Sequence, residues 1–237
     1  MAHAKNIKYI KRCDGRKFDE LRKLTAETGV IPRADGSARV QFGNTIAIAS
    51  VFGPRNLFPR FLQNKERARL RCNYNMMSFS GAGERVRPGP SRRSKEISFI
   101  TEKALLPTLD LSEFPGAVID VFIELIQTDA GTRCAGVTAA ALAIADAGIP
   151  MKDLVSSVSL GLLDKKLLVD VNSEEDCELG ATDIPIAMMP RTGEITLLQM
   201  DGFATKEELK EVLKTAKKVC KEIYKVQSEA LKARYKK

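Results

Sequence analysis

Ser37-Ala-Arg-Val-Gln-Phe42, then Gly43-Asn44, then Thr45-Ile-Ala-Ile-Ala-Ser-Val51: two β-prone runs joined by a two-residue Gly-Asn link. That arrangement predicts an antiparallel hairpin, because a short Asn/Gly link turns the chain back on itself with the twist that strands require. Outward from the hairpin, strands are expected at Arg71–Phe79, Val118–Gln127, Val155–Leu163, Leu167–Val171, Ile184–Met189 and Ile195–Gln199. Ile97, Ile100, Ala104 and Leu105 follow a helical spacing within Ser91–Leu106, and Ala135–Ala147 reads as a small-residue helix stopped by Gly148 and Pro150. A long helix is expected from Lys206 to Tyr235. Thr205 and Glu208 form its capping-box signature, and Leu209, Val212, Leu213, Ala216, Val219, Ile223 and Val226 mark its buried face. Lys5–Lys23 reads as an irregular basic lead-in and Ser80–Pro90 as a loop. Without an internal repeat or linker, the reading is a single α+β domain over residues 1–237, with mixed β-sheets flanked by helices and a long C-terminal helix.

Composition narrows the function. No apolar run approaches the roughly 18 residues of a membrane span, and the Met1-Ala-His-Ala-Lys5 start carries no apolar signal segment. Five scattered cysteines, never in a C-x-x-C arrangement, argue against a zinc site and a disulfide framework, and fit a reducing cytoplasm. The one histidine, His3, lies at the terminus, which disfavours a histidine base. Lys and Arg against Asp and Glu number 21 to 8 over residues 1–100, 6 to 17 over 101–203 and 11 to 5 over 204–237. A basic first half attracts polyanions and an acidic middle supplies carboxylates. Charge alone leaves open whether folding mixes the two into a neutral surface.

Thr128-Asp-Ala-Gly-Thr-Arg-Cys-Ala-Gly-Val-Thr138 passes from a strand end through a glycine turn into a helix, a junction whose free amides suit an anion. Arg133 falls in the first turn, where a cation opposes the helix dipole by about 0.3–1 kcal/mol unless an anion is bound there. Arg92 and Arg93 stand at the start of another helix, so two phosphate contacts are expected; the competing reading pairs these arginines with Glu96 or Asp129. Asp183, just before the apolar run Ile184–Met189, sits where burial raises a carboxylate pKa, which suits a general acid or a magnesium ligand. Glu174, Glu175 and Glu178 read as a solvated acidic loop. No Walker loop, G-x-S-x-G elbow or H-E-x-x-H helix is present. Arginines, backbone amides and carboxylates are the remaining tools, and they are those of phosphoryl transfer.

Six segments in order resemble the RNase PH family: Asp14-Gly-Arg16, Gly36–Thr45, Phe52-Gly-Pro-Arg55, Arg92–Ile97, Asp129–Arg133 and Ala181–Pro185. Within the family, Met188-Met-Pro190 and the Lys-rich terminal helix are similar to the catalytic ring subunit of the archaeal exosome. The resemblance implies phosphate-dependent 3′-to-5′ removal of nucleotides from single-stranded RNA, reversible to tailing. Inorganic phosphate is then the co-substrate, held by Arg93, Gly131, Thr132 and Arg133, with Arg92 gripping the RNA backbone. Asp183 is implied as the general acid or a magnesium ligand, with Asp176, or else Glu175, as its acidic companion. Arg55, Arg60 and Arg67 are expected to bind RNA, with Arg60, Lys65, Arg67, Arg69 and Arg71 lining its entry path. Implied partners are RNA 3′ ends, a related non-catalytic subunit in a hexameric ring, and RNA-binding cap proteins. A non-catalytic RNA-binding ring subunit and a stand-alone tRNA-trimming enzyme are the alternatives. One departure stands out: the family's double glycine before Thr-Arg is Ala130-Gly131 here.

Overall fold

The expected hairpin forms strands β2 (Gly36–Phe42) and β3 (Thr45–Asn56), with Phe42 opposite Thr45 and Gly43 in the left-handed region at φ 54°. The computed structural model describes residues 9–83 and 85–236, so the whole Met1–Lys5 segment discussed above, His3 included, lies outside the described residues, as does Glu84. Preceding the hairpin is β1 (Leu24–Thr28); following it come β4 (Arg69–Met76), α1 (Arg92–Leu105), β5 (Ala117–Gln127) and α2 (Thr132–Asp146). The second half adds β6 (Ser156–Leu163), β7 (Lys166–Val169), β8 (Thr182–Met189), β9 (Glu194–Leu198) and α3 (Lys206–Tyr235). One sheet runs β1-β2-β3-β5-β4, mixed because β4 lies parallel to β5; the other runs β7-β6-β8-β9 and is antiparallel throughout.

Helix α2 occupies the middle. It packs on β2, β3 and β5 of the first sheet and on β6 and β8 of the second, and nearly every residue of Thr132–Asp146 is buried. An alanine-rich helix can serve both sheets because small side chains let backbones approach. At Gly36, for instance, an added Cβ would fall 2.3 Å from the Ala147 nitrogen. One apolar cluster runs from Ala38 to Ile223 through both sheets.

Helix α3 begins at the expected Thr205–Glu208 capping box. Val212, Ala216, Val219 and Ile223 are buried as expected, but Val226 is only half-buried and the core position falls to Gln227. Burial of that amide is tolerated because it bonds Ser156 Oγ at 2.7 Å and the Thr138 and Val155 carbonyls at 3.1 Å each.

Three expectations need correction. The strand placed at Arg71–Phe79 ends at Met76, since the Ser80 amide bonds back to the Met77 carbonyl and turns the chain. Edge strand β1 was not foreseen: its Leu-Thr-Ala-Glu-Thr sequence is only half-buried and carries weak alternation. Among the described residues the lead-in is irregular as expected, but it does not all lie at the surface: Arg12 and Arg22 are buried. Among the described residues five ion pairs run from arginines of the basic first half to carboxylates of the acidic middle: Arg12–Glu175, Arg16–Asp170, Arg22–Asp129, Arg22–Asp170 and Arg71–Asp120. Folding therefore does neutralise much of the segmental charge, and the arginines left over are the informative ones.

Candidate active site

The turn between β5 and α2 puts two consecutive residues, Ala130 at φ 51° and Gly131 at φ 62°, in the left-handed region. For Ala130 this costs about 1–2 kcal/mol, which is the physical content of an alanine standing where the family has glycine. Surrounding bonds hold the strained turn. Thr45 Oγ1 accepts from the Asp129 amide at 2.9 Å and donates to the Ala130 carbonyl at 2.8 Å. Arg22 donates to the Asp129 carbonyl and forks onto Asp170 at 2.8 and 2.7 Å, and the Ser173 amide bonds the Asp129 carboxylate at 3.0 Å. Burial alone would raise the Asp129 pKa, but these donors and the Arg22 charge hold it below the usual value.

No side chain caps α2, and its first turn contains no acid. Its leading amides and positive dipole end face an open cleft of about 470 Å³. Arg133 in that first turn meets Glu96 of α1 only at 3.8 Å, and its Nε–H is buried without an acceptor. A buried guanidinium nitrogen with no protein partner is a donor that an anion in the cleft would satisfy. The start of α1 differs. Ser91 and Ser94 form a reciprocal capping box, so the Ser91 and Ser94 amides are already occupied. What α1 contributes to the cleft is the Arg93 side chain.

The opposite wall carries acids. Asp183 is the second residue of β8, bonded by the Ser159 hydroxyl and bridged through its backbone to Asp201, whose amide bonds the Asp183 carbonyl at 2.8 Å. Burial pushes the Asp183 carboxyl above the ordinary carboxylate range, and the opposing Ser159 bond and Arg133 charge do not cancel it. Asp176 is raised too, first by burial and then by the Asp183 charge. Carboxyls so perturbed opposite a cationic wall are suited to holding a proton and delivering it. Among the described residues no group of three or more histidine, cysteine or acidic side chains converges to hold a metal ion.

The pattern described as "3' exoribonuclease family, domain 1" matches residues 20–150, and that of domain 2 matches residues 153–219. The chain belongs to the RNase PH family of 3′ exoribonucleases. It is a 3′-to-5′ exoribonuclease of the phosphorolytic kind, with phosphate as co-substrate. Among its relatives is an exosome complex component Rrp41 of Thermococcus kodakarensis, 53% identical over 225 residues, covering 95% of this chain and 90% of that one. The Rrp41 of Methanopyrus kandleri is 50% identical, covering 94% and 93%. In fold the chain is similar to rice Rrp46 at a TM-score of 0.82 and 22% identity, covering 93% of this chain and 100% of that one. It is similar also to a chain of an Archaeoglobus fulgidus exosome with RNA bound to the active site, at 0.78 and 24%, covering 96% and 93%.

In this RNase PH-family chain Arg93, Gly131, Thr132, Arg133, Asp176 and Asp183 line one cleft. Arg92, Arg55, Arg60 and Arg67 do not. Arg92 is exposed at the first position of α1, Arg55 lies over the Phe52 ring at 5.1 Å, and Arg60 is in a short exposed turn. Arg67 borders a separate hollow beside Arg69 and Lys103. Arg71, expected on an entry path, is instead forked onto Asp120 at 2.7 and 2.8 Å, so its charge is already neutralised. Glu175 is wholly buried and bidentate to Arg12, so it is neither solvated nor a companion to Asp183; Glu174 and Glu178 are exposed as expected. Asp201 and Ser159 line the cleft without having been foreseen, since nothing local in Gln199–Phe203 or in an apolar strand marks them. No helix among the described residues is long and apolar enough to cross a membrane.

Proposed function

We propose that this chain is the catalytic type of subunit in an archaeal-exosome ring and degrades single-stranded RNA from its 3′ end by phosphorolysis. The observation that carries the reading is the single cleft in which the uncapped start of α2, Arg133 and Arg93 face Asp183 and Asp176. Orthophosphate fits the amides of the Gly131–Arg133 turn and the unpartnered Arg133 Nε–H. From there one of its oxygens attacks the last phosphodiester phosphorus in line. The bond from phosphorus to O3′ breaks, Asp183 gives its proton to that departing oxygen, and a nucleoside 5′-diphosphate leaves. Arg93 and Arg133 offset the charge on the phosphoryl group in transit. Because no phosphate-bond energy is released to water, excess diphosphate extends RNA.

The alternative role for Asp183, in place of proton delivery, is to hold a magnesium ion together with Asp176, an ion that would keep most of its waters there. Bound there, it would add positive charge beside the transferring group. The assembly in this proposal is a hexameric ring shared with a related non-catalytic subunit, carrying RNA-binding caps and working in the cytoplasm. Arg92, Arg55, Arg60 and Arg67 guide RNA toward the cleft from outside it. Degradation of a radiolabelled oligoribonucleotide with and without added phosphate tests the chemistry. Diphosphate products that require phosphate are expected; monophosphates at a rate indifferent to phosphate would remove the proposal.

A further inference from the structure

Tyr74 lies beneath both arginine-bearing helix starts. Its strand position pairs with Ile123 of β5, and its backbone amide bonds Ser98 Oγ of α1 at 2.9 Å. Its ring packs against α2 at Gly136, where an added Cβ would stand 3.6 Å from the ring. The side chain is only 4% exposed, and among the described residues its buried hydroxyl has no hydrogen-bond partner in good geometry. Around that hydroxyl stand the Thr132 hydroxyl and the Arg93 and Arg133 guanidinium groups. Burying a phenol without a partner is costly, so a native structure keeps one where a neighbouring group completes it. Arg133, whose charge acts on the Tyr74 hydroxyl, likewise carries a buried Nε–H without a partner among the described residues.

Building on the phosphorolytic reading, we infer that Tyr74 is a positioning residue for the inorganic anion, closing a hydrogen-bond chain from Arg93 through Tyr74 Oη and Thr132 Oγ1 to a phosphate oxygen. Thr132 lines the cleft and Tyr74 does not, so the tyrosine acts through its neighbours. A hydroxyl can accept on one side while donating on the other. An Arg93 N–H donates to Tyr74 Oη, Tyr74 O–H donates to Thr132 Oγ1, and Thr132 O–H donates to the anion. Each bond polarises the next, and the charge at the far end draws the chain into register. Burial raises the phenol pKa, which keeps the hydroxyl a donor at every working pH.

The test uses the full-length chain assembled with its ring partner. Tyr74→Phe keeps the ring and removes only the hydroxyl. The expected result is a KM for phosphate raised about tenfold, the weight of one hydrogen bond in a charged network. RNA affinity measured without phosphate and the unfolding temperature stay at wild-type values, and phosphate-induced thermal stabilisation weakens in parallel. Thr132→Val breaks the chain at its next link, so Tyr74→Phe combined with Thr132→Val should cost little more than Thr132→Val alone. An unchanged phosphate KM in Tyr74→Phe, or fully additive effects in the double variant, overturns the inference. A wild-type ring that ignores phosphate sinks the phosphorolytic reading instead, so the two failures are distinct.

Discussion

Replacing Glu175 by Gln separates a structural carboxylate from a catalytic one only one residue away. Arg12 Nε and Nη2 bond the Glu175 oxygens at 2.8 and 2.7 Å, Tyr9 donates to the same carboxylate at 2.8 Å, and both charged side chains are wholly buried. Glutamine preserves the shape but leaves the Arg12 charge buried without its counter-ion, a change that costs about 3–5 kcal/mol. For a chain of this size each kcal/mol moves the unfolding temperature by about 2–4 °C, so a fall of about 6–20 °C is expected in circular dichroism melts at pH 7. Acidity supplies a second signature. Burial raises the Glu175 pKa, but the bonds from Arg12 and Tyr9 and the Arg12 charge outweigh it and leave the carboxyl below its usual value. The pair's stabilisation is therefore complete above the unfolded-state pKa and declines as pH falls toward the lower folded-state one, so the gap between wild type and variant narrows on acidification. Asp176→Asn, by contrast, should melt near wild type and lose turnover. A Glu175→Gln protein that melts within about 2 °C of wild type yet loses turnover would refute this division of labour.

Asp183→Ala should abolish phosphorolysis while leaving RNA affinity within about twofold, because the carboxyl serves the leaving oxygen and not the grip; full retained turnover in a gel assay would reassign the acid. Removing the exposed charges of Arg60 and Arg67 together should flatten the salt dependence of RNA binding by about 0.7 per lost phosphate contact. Arg71→Gln should leave that slope as it is, since Asp120 already neutralises Arg71. Equal slopes for the Arg60/Arg67 variant and wild type would leave only a solvated loop.

Local pattern carried the elements well where the pattern was strong. Gly43-Asn44 between β-branched runs is a hairpin in almost any context, and Thr205 with Glu208 set the start of α3 because a cap is a bond between residues three apart. Strand β1 escaped because an edge strand can be half-buried with little alternation, and Asp201 because a turn aspartate looks alike whether or not it faces a cleft. Gln227 in place of Val226 shows the same limit. Which face of a helix is buried follows from periodicity, but which polar group the core accepts depends on partners 71 to 89 residues away.

By itself the sequence determined the hairpin, the terminal helix, the anion-favouring start of α2 and, through six ordered motifs, the family. Only the tertiary structure decided which arginines remain free to meet a substrate. Nothing local in the chain marks Arg12, Arg22 and Arg71 as paired, yet they find carboxylates 163, 148 and 49 residues away. Burying a charge is costly unless it is paired, so the fold places its acids on the buried arginines; among the described residues Arg93 makes no salt bridge and Arg133 only a loose one, beside an uncapped helix.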